Sequence, residues 1–413
     1  MYLRLLSPYL FFFCWIVLGI FPYIYKSNYI YEPLLAYFTV TALYYSYYSL
    51  TNYVQPTYFK ALLGLVFFLG IYGLALVLAG DDVFWMHTGN YLRKYLYLLW
   101  LIPALLSAIP VYVFTCRGQL DDKKMKTLFF IFFVISIYAF YGGLEQQMQY
   151  AALMNLDQDE YTVTSVYSFL SLLPLVVLFK ERKFLQFILL GVMLVYFVMS
   201  AKRGAMILGG VSTVLLILSM FHHGSLGKKL AILFFSVFFV CCVYLLVVHQ
   251  MDSSLYFSSK MERTLHGYAS GRDEYARTIL DYFNNKTSLR QFLMGIGAQG
   301  TLSVNISFAH NDWLAILLEQ GLVGVIVYLF YWIAFVYTWV KSKVCYDAFV
   351  VIGLLLIIGL GKSIFSMYYL PISTEMMATS GYFAIALGYF LGKAFPQEKG
   401  ESDLLVDEVA GEE

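Results

Sequence analysis

The chain has 413 residues, of which 61% are hydrophobic and 13% charged, with a formal net charge of +1. A soluble domain carries about a quarter charged residues, so this chain cannot clothe itself in polar surface, and its excess apolar surface calls for lipid. Its few cations fall in short clusters between apolar runs, which excludes the contiguous basic face that nucleic acid requires.

The N-terminus reads Met1-Tyr2-Leu3-Arg4 and then runs apolar to Tyr25. A cleaved signal peptide ends in small residues. Here the run ends in Phe21-Pro22-Tyr23, which predicts a first transmembrane helix instead. A span takes about 20 apolar residues at 1.5 Å each. On that measure the sequence predicts an all-α polytopic membrane protein with about twelve spans, at roughly 5–24, 31–50, 59–79, 95–115, 127–144, 161–179, 184–200, 204–221, 230–249, 312–340, 347–367 and 374–392. The organisation is then nine membrane helices over 1–249, a large outer loop over 250–311, three helices over 312–393 and a solvated tail over 394–413. The tail carries Glu398, Glu401, Asp403, Asp407, Glu408, Glu412 and Glu413.

Lysine and arginine collect in alternate loops: Lys60; then Arg117, Lys123, Lys124 and Lys126; then Lys180, Arg182 and Lys183; then Lys228 and Lys229; then Lys341 and Lys343. Arg4 and Lys393 flank the ends, while the loop at 145–160 has no lysine or arginine, its charged residues being Glu145, Asp157, Asp159 and Glu160. Positive charge marks the cytoplasmic side, so both termini are expected there. Three places run against the rule: Arg93 and Lys94, Lys202 and Arg203, and the arginine-bearing loop 250–311. Long loops translocate largely regardless of charge, which accounts for the last. A cation pair in the very short turn at 202–203 points to a use for it on the outer side.

Cys14, Cys241 and Cys242 sit inside apolar runs, and Cys116 and Cys345 at their ends, with no Cys-x-x-Cys or Cys/His spacing for zinc. They read as small hydrophobes. The 37 tyrosines cluster at span ends, as in Tyr44-Tyr45-Ser46-Tyr47-Tyr48, where an amphipathic ring suits the interface.

Within the outer loop, Arg272 to Asn284 predicts a short amphipathic helix with Tyr275, Ile279 and Phe283 four apart on one face, and Ser270 or Gly271 available to cap it. The run Gly295-Ile296-Gly297-Ala298-Gln299-Gly300 matches a dinucleotide fingerprint only formally, because no strand-helix unit surrounds it. It reads as a flexible glycine turn that lets backbone approach something closely. After it come His310, Asn311 and Asp312 at the start of a membrane helix, either of the last two able to cap it. Glu319 lies two turns deeper, about 10 Å down. An ionisable group at that depth is a functional candidate, with a structural pairing to a cation such as Lys362 as the alternative.

Ala309-His310-Asn311-Asp312 followed by Glu319-Gln320-Gly321-Leu322-Val323-Gly324 resembles the signature of the O-antigen ligase and polymerase superfamily. Ser200-Ala201-Lys202-Arg203-Gly204-Ala205, Ser270-Gly271-Arg272 and Gly295-Ile296-Gly297 resemble that family's further motifs, in the order it has them. The motifs cover residues 200–324, and the first half matches in span count alone. The resemblance implies an enzyme that transfers glycan from undecaprenyl pyrophosphate to a hydroxyl outside the cytoplasmic membrane, without nucleotide sugar.

The residue chemistry suits that reaction. A departing pyrophosphate concentrates negative charge, which the planar paired donors of Arg203 and Arg272 match. A neutral histidine near pH 7 takes a proton, so His310 is the candidate general base, in a single inverting displacement. Lys202, Asn311, Glu319, Gly295 and Gly297 complete the candidate substrate-binding set, with His266, Arg263 and Arg277 behind them. No carboxylate cluster has metal-ligand spacing, and neither metal nor cofactor is expected. Expected partners are the lipid-linked donor, an acceptor glycan, membrane lipid and a chain-length regulator. Within the family, a polymerase of surface polysaccharide repeat units is favoured over a ligase to lipid A core or a transferase to protein. A flippase of lipid-linked sugars is the reading from another class. Transporters show repeats and charged midplane helices, whereas here the unusual residues crowd the outer edge.

Overall fold

The computed structural model describes residues 6–24, 31–78, 104–153, 163–221, 226–253, 257–259, 261–262, 272–297, 300–304, 309–366 and 374–396. These are about 89% helical and include no strand. The main helices are α1 (Pro8–Ile24), α2 (Tyr31–Asn52), α3 (Thr57–Leu78), α4 (Ala108–Cys116), α5 (Asp122–Leu153), α6 (Tyr167–Leu172), α7 (Lys183–Met199), α8 (Arg203–Phe221), α9 (Leu226–Ser253), α10 (Arg272–Asn285), α11 (Leu289–Met294), α12 (Asp312–Lys341), α13 (Tyr346–Phe365) and α14 (Thr374–Ala394). Among the described residues helix forms over most of the predicted apolar runs; residues 95–103 of the run predicted at 95–115 lie outside them.

Among the described residues, six segments rather than twelve are both long and apolar enough to cross a bilayer: Thr57–Leu74, Asp122–Gln149, Arg203–Phe221, Ile232–Ser253, Asp312–Val344 and Tyr346–Phe365. Four further apolar stretches are shorter, among them Thr164–Phe179 and Lys183–Met199. The run expected to span at 161–179 is divided. A 3₁₀ turn at Thr164–Val166 leads into α6, and a second 3₁₀ stretch follows at Leu173–Phe179. Pro174 near the start of that second stretch lacks the N–H that would continue α6. Buried side chains surround this irregular backbone: Val166, Phe169, Leu170, Leu172, Leu173, Leu175 and Val176 have no exposed area. Such backbone is tolerated in an apolar bundle where protein, not lipid, covers it.

Small residues let the central helices approach. A Cβ at Gly388 of α14 would strike the backbone of Ala108 in α4, and one at Gly361 of α13 would strike Leu208 in α8. Close backbone contact of this kind holds helices together where hydrocarbon removes the hydrophobic incentive. By contrast α9 turns Phe234, Val240, Tyr244 and Leu245 outward, each more than 60% exposed, as a helix facing lipid does.

Contacts between helix ends sort into two sets. At one end Tyr58 N donates to Thr338 Oγ1 at 2.9 Å, and Lys180 and Lys393 form ion pairs with Asp347 at 2.6 Å and Asp122 at 2.8 Å. At the other, Val163 N donates to Ser200 O at 3.1 Å, and the starts of α10 and α12 meet the end of α13. The second end carries the candidate site.

Candidate active site at one end of the helix bundle

The site is assembled on the C-terminus of α13. The last carbonyls of a helix have no intrahelical partner and carry partial negative charge. Two side chains from elsewhere in sequence satisfy them. Arg272, the first residue of α10, donates to Phe365 O, and Asn311 Nδ2 donates to Ile364 O at 3.2 Å. Asn311 also caps α12, its Oδ1 accepting from Leu314 N at 3.1 Å, so it is Asn311, rather than Asp312, that serves as the cap. Trp313 Nε1 donates to Ser363 Oγ at 3.2 Å. Residues 363–365 therefore fix both the amphipathic loop helix and the histidine segment.

Around this anchor three cations and one histidine converge. His310 feels the charges of Arg272 and Lys202, and Arg272 feels that of Arg203. Burial, then the charges of Arg272 and Lys202, hold the His310 imidazole down at a pKa of about 4, so at neutral pH it carries no charge. Burial also lowers the Arg272 pKa; Tyr167 opposes that shift and Arg203 adds to it. Positive charges gathered beside a neutral imidazole make a site that favours a polyanion. His310 (φ 50°) and Ala201 (φ 51°) are the two non-glycine residues with positive φ among those described. One is the candidate histidine and the other precedes Lys202. Left-handed backbone at such residues costs about 1–3 kcal/mol and clusters where geometry serves function.

Beneath the cations lies a buried polar layer. Lys362 is 4% exposed, with Tyr167 5.2 Å away at its ring centroid and Asp312 as charged neighbour. Tyr328 donates to Asp312 Oδ2 at 3.2 Å and packs on Trp313. The charged neighbour that acts on Lys362 is therefore Asp312. Glu319 is itself buried, and it marks a break in α12. Gly321 has φ 66° and ψ −164°, which frees the carbonyls of Leu318 and Glu319. Ile296 N and Gly297 N donate to them at 2.9 and 3.0 Å, and Tyr72 OH donates to Glu319 O.

The glycine turn accordingly approaches the helix break. A Cβ at Gly295 would strike the Glu319 backbone, and one at Gly321 would lie 2.5 Å from Gly295 N. With Gly295 N donating to Gln291 O at 2.7 Å, the amides of both candidate glycines serve the chain itself, and their part in the site is to hold α11 against α12. The predicted helix at 272–284 is present as α10, with Ile279 and Phe283 buried and Tyr275 partly so. Arg277 lies on its exposed face. Arg263, His266, Ser270 and Gly271 lie outside the described residues.

Sequence reading missed Tyr167, Ser363 and the carbonyls of Ile364 and Phe365, since nothing in the pattern of an apolar helix end announces which loop will dock on it. No group of three or more His, Cys, Asp or Glu side chains that could hold a metal occurs among the described residues. Fold and composition define an α-helical membrane protein with a cationic, histidine-bearing site at one bundle end. No family model matches the chain, and no curated protein is significantly similar to it.

Proposed function

We propose that the chain is a membrane-integral glycosyltransferase of surface-polysaccharide assembly, of the O-antigen polymerase type. It would cross the bacterial cytoplasmic membrane about twelve times with both termini inside, and the loop 250–311 and the site would face outward. The observation that supports this reading is that Lys202 and Arg272 act on His310 while Arg203 acts on Arg272, which gathers three separated segments of the chain at one place. A lipid-linked pyrophosphate is the polyanion such a site suits. Arg203, Arg272 and Lys202 hold it and stabilise the charge that develops on it as it leaves.

In the reaction, the acceptor hydroxyl oxygen bonds to the anomeric carbon of the donor glycan. The bond from that carbon to the pyrophosphate breaks, its electron pair leaving with the phosphate, and His310 takes the hydroxyl proton. A base with a pKa near 4 is feeble at neutral pH. Bound pyrophosphate offsets the cations that suppress His310, raises its proton affinity, and so couples base strength to donor occupancy. Asn311 and the α13 carbonyls set the position of the histidine segment, and the wetter outer edge admits the acceptor.

The test is His310→Ala in the native host, with surface-glycan length read on a gel after confirming that the protein is made and inserted. General-base assistance is worth about a hundredfold to ten-thousandfold, so long chains are expected to collapse to single repeats on lipid A core. Loss of single repeats with accumulation of lipid-linked polymer would reassign the enzyme as a ligase. A normal ladder would overturn the mechanism.

A further inference from the structure

The segment that carries α11 does not stay above the bundle. It docks on the break in α12, where Ile296 N and Gly297 N bond the Leu318 and Glu319 carbonyls and a Cβ at Gly321 would strike the Leu293 backbone. The neighbouring helix α3 sets the level of that break. It runs antiparallel to α12, Tyr58 N bonding Thr338 towards one end of the pair and Tyr72 OH bonding Glu319 O towards the other. Tyr72 falls inside the apolar span Thr57–Leu74. Beside it Ile71 and Leu74 are both exposed, as residues that face hydrocarbon are. Glu319 and the turn docked on it therefore sit at the level of the lipid tails. At that level α11 buries none of its residues. Leu289 is 76% exposed, and Phe292 and Leu293 are exposed with it.

We infer that α11 is an interfacial anchor immersed in the outer leaflet, with Leu289, Phe292 and Leu293 among the acyl chains. Lipid at this depth demands that backbone polar groups find partners within the protein, and the segment meets that demand. Ser288 and Gln291 form a capping box at its start. At its end Gly295 N donates to Gln291 O at 2.7 Å, and the next two amides are those given to α12. Exposed Lys286 and Arg290 bracket Leu289, on stems long enough to carry their charges up to the headgroups. The depth favours lipid over a protein partner, since a soluble partner would have to reach below the bundle end, to a level where α3 faces hydrocarbon. Phe292 meets Phe283 of α10 with ring centroids 4.9 Å apart, so the anchor also steadies the helix that begins at Arg272. The inference rests on α3 and α12 spanning the bilayer, and it is independent of the glycosyl-transfer reading.

The test places one nitroxide label at a time in the full-length protein, with its five native cysteines replaced, reconstituted in vesicles of phosphatidylethanolamine and phosphatidylglycerol. The labelled variants are Leu289→Cys and Leu293→Cys, with Asp281→Cys on the exposed face of α10 and Phe238→Cys on the lipid-facing side of α9 as references. Collision with oxygen, which concentrates in hydrocarbon, and with a water-soluble nickel chelate reads the depth of each label. Asp281→Cys should read as aqueous and Phe238→Cys as deep. Both α11 labels should favour oxygen, at about 5–10 Å below the headgroup boundary. Nickel contact at Leu289→Cys and Leu293→Cys equal to that at Asp281→Cys would put α11 in water and overturn the inference. Shielding of both from either reagent would overturn it in favour of a protein cover, a second copy or another chain. An aqueous reading at Phe238→Cys would remove the membrane-spanning reading itself, and the inference with it.

Discussion

The guanidinium of Arg272 hydrogen-bonds the carbonyl of Phe365, so the loop helix that begins at Arg272 is anchored to the C-terminus of a helix 93 residues away. One N–H of that side chain is thereby committed, the guanidinium has further donors, and the charge of Arg203 acts on the same group. The arrangement separates charge from geometry experimentally. Arg272→Lys keeps the charge but not the planar fork. It should lower glycan output by roughly 10- to 100-fold, the worth of one or two charge-assisted hydrogen bonds, and Arg272→Ala should lower it further. Equal, small losses in both variants, read as polymer per membrane-inserted protein, would show that Arg272 only anchors the loop.

The histidine makes a pH prediction. Its pKa in the folded protein, about 4, lies below the ordinary value of 6.5, because burial disfavours the charged imidazole and the charges of Arg272 and Lys202 add to that. The unfolded chain therefore binds more protons between these values. His310 thus contributes stability that is present above pH 6.5 and is lost as pH falls through that window to about 4. His310→Ala should flatten the fall in thermal midpoint over that range. Nitrogen-15 spectra of labelled histidine should show an imidazole that stays neutral at pH 5.5 and gains protonation when inorganic pyrophosphate is added; no response to pyrophosphate would separate the histidine from the anion site.

Gly295 and Gly321 should be intolerant of any side chain. Each has positive φ, and each Cβ would meet the other segment's backbone. Left-handed backbone alone costs a non-glycine residue about 1–2 kcal/mol, and displacing the docked turn strips two donors from the break in α12. Gly321→Ala should therefore destabilise by at least about 2 kcal/mol. Gly210 of α8 meets nothing within 4 Å, so Gly210→Ala should be neutral or slightly stabilising by helix propensity. Thermal midpoints of the two variants in one detergent decide the comparison.

The Lys362–Asp312 neighbourhood predicts non-additive mutations. Both side chains are buried, at 4% and 0% exposure. Removing one of two neighbouring buried charges leaves the other less compensated, which is destabilising. Lys362→Met and Asp312→Asn should each be severe, and the double variant milder than their sum. Additive losses in the midpoint would mean that the two charges do not compensate each other.

Much of this molecule was legible along the chain because the deciding signals are local. An apolar run of about 20 residues favours helix in lipid, so most of the described helices stand where the runs predicted them, the divided stretch at 161–179 excepted, and α10 follows from the spacing of Tyr275, Ile279 and Phe283. His310, Arg203 and Arg272 could be singled out in sequence because charge at the edge of an apolar segment is expensive enough to need a reason. Tertiary structure alone decided what those residues meet. That Arg272 and Asn311 seek the carbonyls of α13, that Asp312 is the charged neighbour acting on Lys362, and that the glycine turn docks on the break at Gly321 all depend on which helix ends are neighbours. In an apolar bundle this choice is made by close packing of small residues such as Gly361 and Gly388 against partners far away in sequence. A hydropathy pattern records how much of a helix is apolar, and it carries no information on which apolar face lies against which.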